Sequence, residues 1–298
     1  MALPRDRERS RPAAAARPGL AVAFRYLARL GESPIAMVGT GIVLFWALCA
    51  LFAPWISPYE PNAQDLSALA DPTPSTAHPL GTDLLGRDML ARLLYGARLA
   101  LTLAPAAVLV AYVAGCAMGL AAGYFGGWAD SLISRCSDVV LSFPVLILYV
   151  ILITAIGPSA LNIIFAVTVA SSPGIGRIVR GLTLSVRNLD YVSAAEIRGE
   201  RPLYVMIAEI LPSARGPLVV DFCLRIGYTI ITIGILGFLG LGLPPPSPDW
   251  GSMVAKGRQY ILAGSPWAAL CPSVAIASLV VGLNLFADGL REESLRYQ

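Results

Sequence analysis

The sequence predicts an all-α integral membrane protein that crosses the bilayer six times, and three observations carry that expectation. Of the 298 residues, 56% are apolar and 14% charged, where an ordinary soluble domain carries about 25% charged residues. Stretches free of Asp, Glu, Lys and Arg run over residues 33–59, 99–129, 139–176, 226–248 and 259–287. Each exceeds the ~18 residues at which an apolar run reads as membrane-spanning. The runs are also continuously apolar, whereas the strands of a membrane barrel alternate apolar and polar residues over about ten positions. This composition excludes a soluble enzyme, a disordered chain and a disulfide scaffold.

Residues 1–32 are Arg- and Ala-rich and lack an apolar core, so they are expected to form a cytoplasmic, largely disordered tail. The apolar run that follows is longer than the roughly 7–15 residues of a signal-peptide core and is expected to remain as an uncleaved first span. The 139–176 stretch is too long for one helix, and Gly157-Pro158-Ser159 at its centre divides it by a tight turn. Six spans result, near 35–53, 99–122, 138–156, 159–176, 214–240 and 268–288, inside a transmembrane domain covering 33–291. Residues 292–298 form a second tail. With the N-terminus inside, sixteen basic residues flank the spans on the cytoplasmic side and five on the other, with Arg225 left within a span. That imbalance places both termini in the cytoplasm.

Outside, the long loop is 54–98. Its first half, Pro54 to Pro79, is rich in Pro, Asp and Ser and is expected to be irregular. Its second half predicts an amphipathic helix over 84–95, with Asp83 as N-cap and Leu85, Met89, Leu90, Leu93 and Leu94 on one side. Arg87, Asp88, Ala91 and Arg92 take the other side, with Asp88 and Arg92 spaced as an (i, i+4) pair. A helix lying in the membrane interface fits this pattern, and a solvated surface helix fits it too. Inside, the long loop is 177–213. Ser193 to Arg198 favours a helix, Gly199 can end it, and Pro202 suits the first turn of a second helix over Leu203 to Leu211. Such a structured segment between spans four and five is either a contact for a cytoplasmic partner or a connector.

The chemistry that is missing is informative. Lys256, the single lysine, is followed by Gly257 rather than preceded by glycine, so no phosphate-cradling G-x-x-x-x-G-K-[ST] loop exists. No H-E-x-x-H, no G-x-S-x-G elbow and no carboxylate pair within a span occurs, so no catalytic residue is expected. The cysteines at 49, 116, 136, 223 and 271 contain no Cys-x-x-Cys pair and read as packing residues. The lone His78 has no His or Cys neighbour, so no metal site is expected. Asp221 and Arg225, four apart in span five, either line a polar path for a charged solute or form a self-neutralising pair that fixes helix packing. Gly115, Gly119 and Gly123, and likewise Gly234, Gly237, Gly240 and Gly242, allow close helix approach, as packing faces or as sliding surfaces.

One stretch, His78-Pro-Leu-Gly-Thr-Asp-Leu-Leu-Gly-Arg-Asp-Met-Leu-Ala-Arg-Leu-Leu-Tyr-Gly-Ala-Arg98, resembles the extracytoplasmic signature of one permease subunit of bacterial ABC importers for dipeptides, oligopeptides, glutathione and nickel. Its signature positions include Gly81, Asp83, Gly86, Arg87 and Asp88. Phe143-Pro144, Gly237-Phe-Leu-Gly-Leu-Gly-Leu-Pro-Pro-Pro-Ser-Pro-Asp-Trp-Gly251 and Asn284-Leu-Phe-Ala-Asp-Gly-Leu-Arg291 are similar to the same family in the same order. The inside loop resembles the family's ATPase-coupling motif, an E-A-A triplet with Gly four positions beyond its last Ala and a Leu-Pro end. Here it reads Ser193-Ala194-Ala195-Glu196, then Gly199 and Leu211-Pro212. Ser193 stands where the family usually has Glu, Glu209 stands where a basic residue or His is common, and the C-terminus departs from the family's usual ending.

The resemblance implies the six-span type I importer permease fold and a division of labour. A sister permease would pair with this chain, two ATPase subunits carrying ATP and Mg would dock below, and an extracytoplasmic binding protein would deliver solute from outside. This chain itself would hold no cofactor, metal or nucleic acid, and membrane lipid would surround it. Peptide import by alternating access is the implied function, with nickel-chelate or glutathione import as the alternative inside the family. An ion-coupled secondary carrier is the alternative outside it.

Overall fold

The computed structural model describes residues 33–69, 73–83, 85–262 and 266–295, and every regular element among them is helical. The expected tail at 1–32 lies outside the described residues, as does the end of the one at 292–298. Helix α1 (Pro34–Ile56) opens with a proline at its first position, where no N–H is missed. Helix α2 (Met89–Phe125) is capped by Asp88, whose carboxylate accepts from the Ala91 amide. Gly126 and Gly127 both adopt positive φ, a region costly for other residues, and so turn the chain into α3 (Gly127–Leu141).

Helix α4 (Val145–Ile156) follows α3 after a bend of 88°. The cause is local: Pro144 has no amide to continue the ladder and pushes Phe143 out of the helical region. Gly157, at φ 86°, and the Ser159 cap then start α5 (Ala160–Val186). The Asn162 amide donates back to the carbonyls of Ile156 and Gly157, closing that turn. Next come α6 (Asp190–Ile197), the composite α7 (Pro202–Ser213), α8 (Arg215–Phe238), α9 (Trp250–Leu262) and α10 (Trp267–Leu295).

Helices α1, α2, α5, α8 and α10 are each long and apolar enough to cross a membrane, and the bent α3–α4 pair makes a sixth span when counted as one. Two boundaries differ from the sequence expectation. The inside loop starts at Arg187 rather than 177, because α5 runs on to Val186. Its two late cations are neutralised from α3: Arg180 makes a two-pronged pair with Asp130, at 2.5 and 2.6 Å, and Arg177 pairs with Asp138. The helix expected over 84–95 is likewise absent as a separate element. It begins at Met89, its cap is Asp88 rather than Asp83, and it continues without a break into the second span.

Helix α2 is the central pillar, packing most extensively on α5 and also on α1 and α8, while α10 packs on α1, α8 and α9. The α2–α5 contact explains the Gly115, Gly119, Gly123 spacing. A Cβ on Gly119 would sit 2.5 Å from the Gly176 carbonyl oxygen, and one on Gly115 2.6 Å from Ile175, so only bare backbone fits there. Successive spans reverse direction. That puts residues 57–88, the 157–159 turn and 239–262 at one end of the bundle, and 126–127 and 187–214 at the other.

Candidate functional site

Three polar groupings stand out against the apolar bundle, one at each end and one between. At the end formed by 57–88, the residues expected on a wet helix face are buried along with Met89 and Leu94 of the apolar one. Arg87, Asp88 and Arg92 are 5%, 1% and 2% exposed, whereas Leu85 is 48% exposed. The expected Asp88–Arg92 pairing does not form. Asp88 instead accepts from the Ala91 amide at 2.7 Å and lies 2.9 Å from His78 Nδ1. Arg92 donates to the carbonyls of Pro61 and Ser247 at 3.0 and 3.2 Å and to Asn62 Oδ1 at 3.2 Å, with Pro246 O at 3.5 Å and Asp83 at 3.8 Å. Arg87 pairs with Asp83, Nε to Oδ2 at 2.7 Å. Gly81 and Gly86, both at positive φ, shape the loop that aims these groups, and a Cβ on Gly86 would sit 2.3 Å from the Asp65 carbonyl oxygen.

His78 closes this knot from outside the helix, with Asp88 on one ring nitrogen and Asp65 at 3.4 Å from the other. Burial disfavours its cation, but the two carboxylates outweigh burial and hold its pKa above the ordinary value. Asp65 shifts the other way, lowered by the Ser67 hydroxyl, His78 and the Ser67 amide. Two contributors escaped the sequence reading. Asp249 is buried at the start of α9, accepting from the amides of Gly251 and Ser252 at 3.3 and 3.0 Å, and burial pushes its carboxyl upward. Trp250 donates its indole N–H to the Leu93 carbonyl at 3.0 Å. The Asp-Trp-Gly run was the available signal, since an Asp before an aromatic and a glycine is a ready helix cap.

Within the bundle, Asp221 and Arg225 form a 2.6 Å ion pair on α8. Its surroundings were not foreseen: the Tyr112 hydroxyl of α2 donates to Asp221 and lies 3.2 Å from the Leu218 carbonyl. Tyr149 of α4 and Ser171 of α5 meet at 3.5 Å, within electrostatic reach of Arg225. Four helices therefore meet around one cation. Both members of the pair keep about a fifth of their side-chain surface open, 23% for Asp221 and 22% for Arg225.

At the opposite end, α6 and α7 form a helix, a left-handed Gly199 at φ 78°, and a second helix whose middle, Val205–Ile210, is wound as a π-helix. Val192, Ala195, Val205 and Ile210 are fully buried and anchor the segment to the bundle. Ser193, Ala194, Glu196, Gly199 and Pro212 are exposed, while Leu211 is half-buried. Ala195 thus points inward, away from its neighbours in the motif. Large apolar side chains face out beside them, with Ile197 87% and Leu203 64% exposed. The Arg187 guanidinium lies 5.6 Å above the Tyr124 ring, holding the end of α5 against the end of α2. Among the described residues, no cluster of three or more His, Cys, Asp or Glu could hold a metal ion.

Comparison with known proteins gives this arrangement its context. Residues 115–292, more than half the chain, match the family model described as the binding-protein-dependent transport system inner membrane component. Residues 23–74 match the N-terminal TM domain of oligopeptide transport permease C. The chain is 38% identical, over 86% of each chain, to the di/tripeptide transport system permease protein of Pseudomonas aeruginosa. It is 39% identical to the probable D,D-dipeptide transport system permease protein of Escherichia coli, over 88% of each chain. It is also 39% identical to the glutathione transport system permease protein of Pectobacterium atrosepticum, over 87% of this chain and 85% of the relative. A bundle of five apolar spans, six with the bent α3–α4 pair, matched to such relatives over most of its length, belongs to the family of inner-membrane permease components of binding-protein-dependent ABC transport systems.

Proposed function

We propose that this chain is one of two unlike permease subunits of an importer for short peptides, with both termini in the cytoplasm. In this reading the 57–88 end faces the binding protein, and Asp221 and Arg225 line the path between the two permeases. Two ATPase subunits, carrying ATP and Mg, dock on the segment holding Ser193, Ala194, Ala195, Glu196, Gly199, Leu211 and Pro212. The single observation that carries the reading is the free apolar face of α6 and α7. Ile197, Leu203, Tyr204 and Ile207 stand exposed on a segment whose other side is anchored in the bundle, the signature of a surface built to be covered. The sequence has no nucleotide-binding loop of its own, so the work must enter through a partner. Ser193 leaves the partner contact without the usual carboxylate, so apolar contact carries more of the docking here.

The test is uptake of labelled dialanine into proteoliposomes. Accumulation is expected when this chain is combined with its sister permease, both ATPases, binding protein and ATP. It is expected to vanish without the ATPases and in the double variant Ala194→Asp, Gly199→Val. Accumulation by this chain alone would overturn the reading. A second reading, glutathione import, is favoured by the relative from Pectobacterium atrosepticum, and competition of unlabelled glutathione against dialanine separates the two.

A further inference from the structure

The polar meeting point inside the bundle has a direction. Arg225 is held at its base: Nε donates to Asp221 at 2.6 Å, and Asp221 is in turn fixed by the Tyr112 hydroxyl. The far end of the guanidinium reaches toward α5 at Gly174. The position a Cβ would take on Gly174 lies 3.7 and 3.8 Å from the two terminal nitrogens, in ordinary van der Waals contact with them. A residue with any side chain here would stand over the fork; glycine leaves it uncovered. One helical turn before Gly174, Ser171 carries its hydroxyl on the same face, paired with Tyr149. A cation with its inner nitrogen neutralised and its outer pair uncovered presents parallel donors that match a carboxylate.

We infer that Arg225, its outer nitrogens facing the bare backbone of Gly174, forms a carboxylate-recognising station, which takes the free α-carboxylate of a peptide during its passage. Asp221 and Tyr112 act as positioning residues, holding the fork at the angle that leaves its outer nitrogens free. The inference rests on the reading of the chain as a peptide importer and deepens it. The Asp221 charge keeps the site from being a deep trap, since a carboxylate arriving at Arg225 meets a cation already half-compensated. A station that binds weakly lets the peptide move on.

The experiment uses the complete transporter of both permeases and both ATPases in nanodiscs, without binding protein, so that binding-protein selectivity does not enter. Saturation-transfer NMR reads weak binding of dialanine and of dialaninamide, which lacks the carboxylate. Dialanine should give a signal that dialaninamide lacks. Arg225→Gln should weaken the dialanine signal about tenfold, the scale of a lost charge-assisted hydrogen bond. Arg225→Lys, which keeps the charge and loses the fork, should fall between. Gly174→Ala sets a methyl group in ordinary van der Waals contact with both outer nitrogens and leaves the ion pair intact, so it tests the station even where Arg225→Gln fails to assemble; it should weaken the signal as well. Equal signals for acid and amide, no dialanine signal, or an undiminished signal in Gly174→Ala would overturn the station. In each of those cases, ATP-driven dialanine uptake by the unaltered system with its binding protein would leave the importer reading standing.

Discussion

The two ends of this bundle handle polar and apolar groups in opposite ways. At the 57–88 end, charged side chains go in: Arg87, Asp88 and Arg92 are almost fully enclosed, and their partners come from residues 61–65, 78, 83 and 246–247. At the 187–214 end, apolar side chains stay out, with Ile197, Leu203, Tyr204 and Ile207 all exposed. The first end is complete by itself, because buried charge is tolerable only when its partners are already in place. The second is incomplete, since nothing among the described residues covers its apolar face. Damage to the first should therefore appear as lost stability of the chain, and damage to the second as lost cooperation with a partner.

The sharpest break comes at Arg92. Arg92→Leu removes the donor from the half-buried carbonyls of Pro61 and Ser247, at about 1 kcal/mol for each lost hydrogen bond, and opens a polar knot on an apolar side chain. The variant should lose most of its yield of folded protein, read as a fall in thermal midpoint in detergent. Gly251→Ala comes next. Its Cβ would fall 2.1 Å from the Gly234 carbonyl oxygen, a backbone clash that forces α8 and α9 apart at roughly 1–3 kcal/mol.

A smaller, reversible loosening is expected at His78. Its pKa is raised in the folded protein, so the stabilisation from Asp88 and Asp65 is fully present below the ordinary histidine value of about 6.5 and fades as pH rises through the raised one. Backbone amides of residues 57–88 should exchange more slowly at about pH 6 than at about pH 9, after correction for intrinsic rates. His78→Gln should erase the difference. At the other end, Ile197→Ser with Leu203→Ser should move the thermal midpoint least, within about 0.5 kcal/mol. The same pair should abolish stimulation of the ATPases. A large fall in stability there, or unchanged stimulation, would collapse the contrast between the two ends.

What the sequence made legible follows the same division. Charge-free runs located the spans because an apolar helix of that length has few other places to be. The helix, Gly199, Pro202 succession in the 187–214 segment was readable because each signal acts on its own neighbours. The 84–95 pattern was misleading because amphipathicity reports two unlike faces, whereas protein covers both Met89 and Leu94 on one and Asp88 and Arg92 on the other. The acceptors that draw Arg92 inward sit at Pro61 and Ser247, and the second of these is 155 residues away. Distant carbonyls leave no trace in local spacing. The same limit hid Tyr112 and Tyr149, ordinary aromatics in apolar runs until the fold sets them beside Asp221, Arg225 and Ser171. The Asp221–Arg225 spacing was visible, but what it faces belongs to other helices.

The elbow at Phe143–Pro144 carries a consequence for the surrounding lipid. Helix α4 has 12 residues, about 18 Å of rise, against a hydrocarbon layer of about 30 Å. Its outward side chains include Val145, Leu146, Ile147, Ile151 and Ile156, with Thr154 exposed among them, so wherever acyl chains meet this flank they must shorten to match it. Import through such a chain is expected to run faster in thin bilayers than in thick ones, with the bilayer itself setting part of the energy of the moving parts.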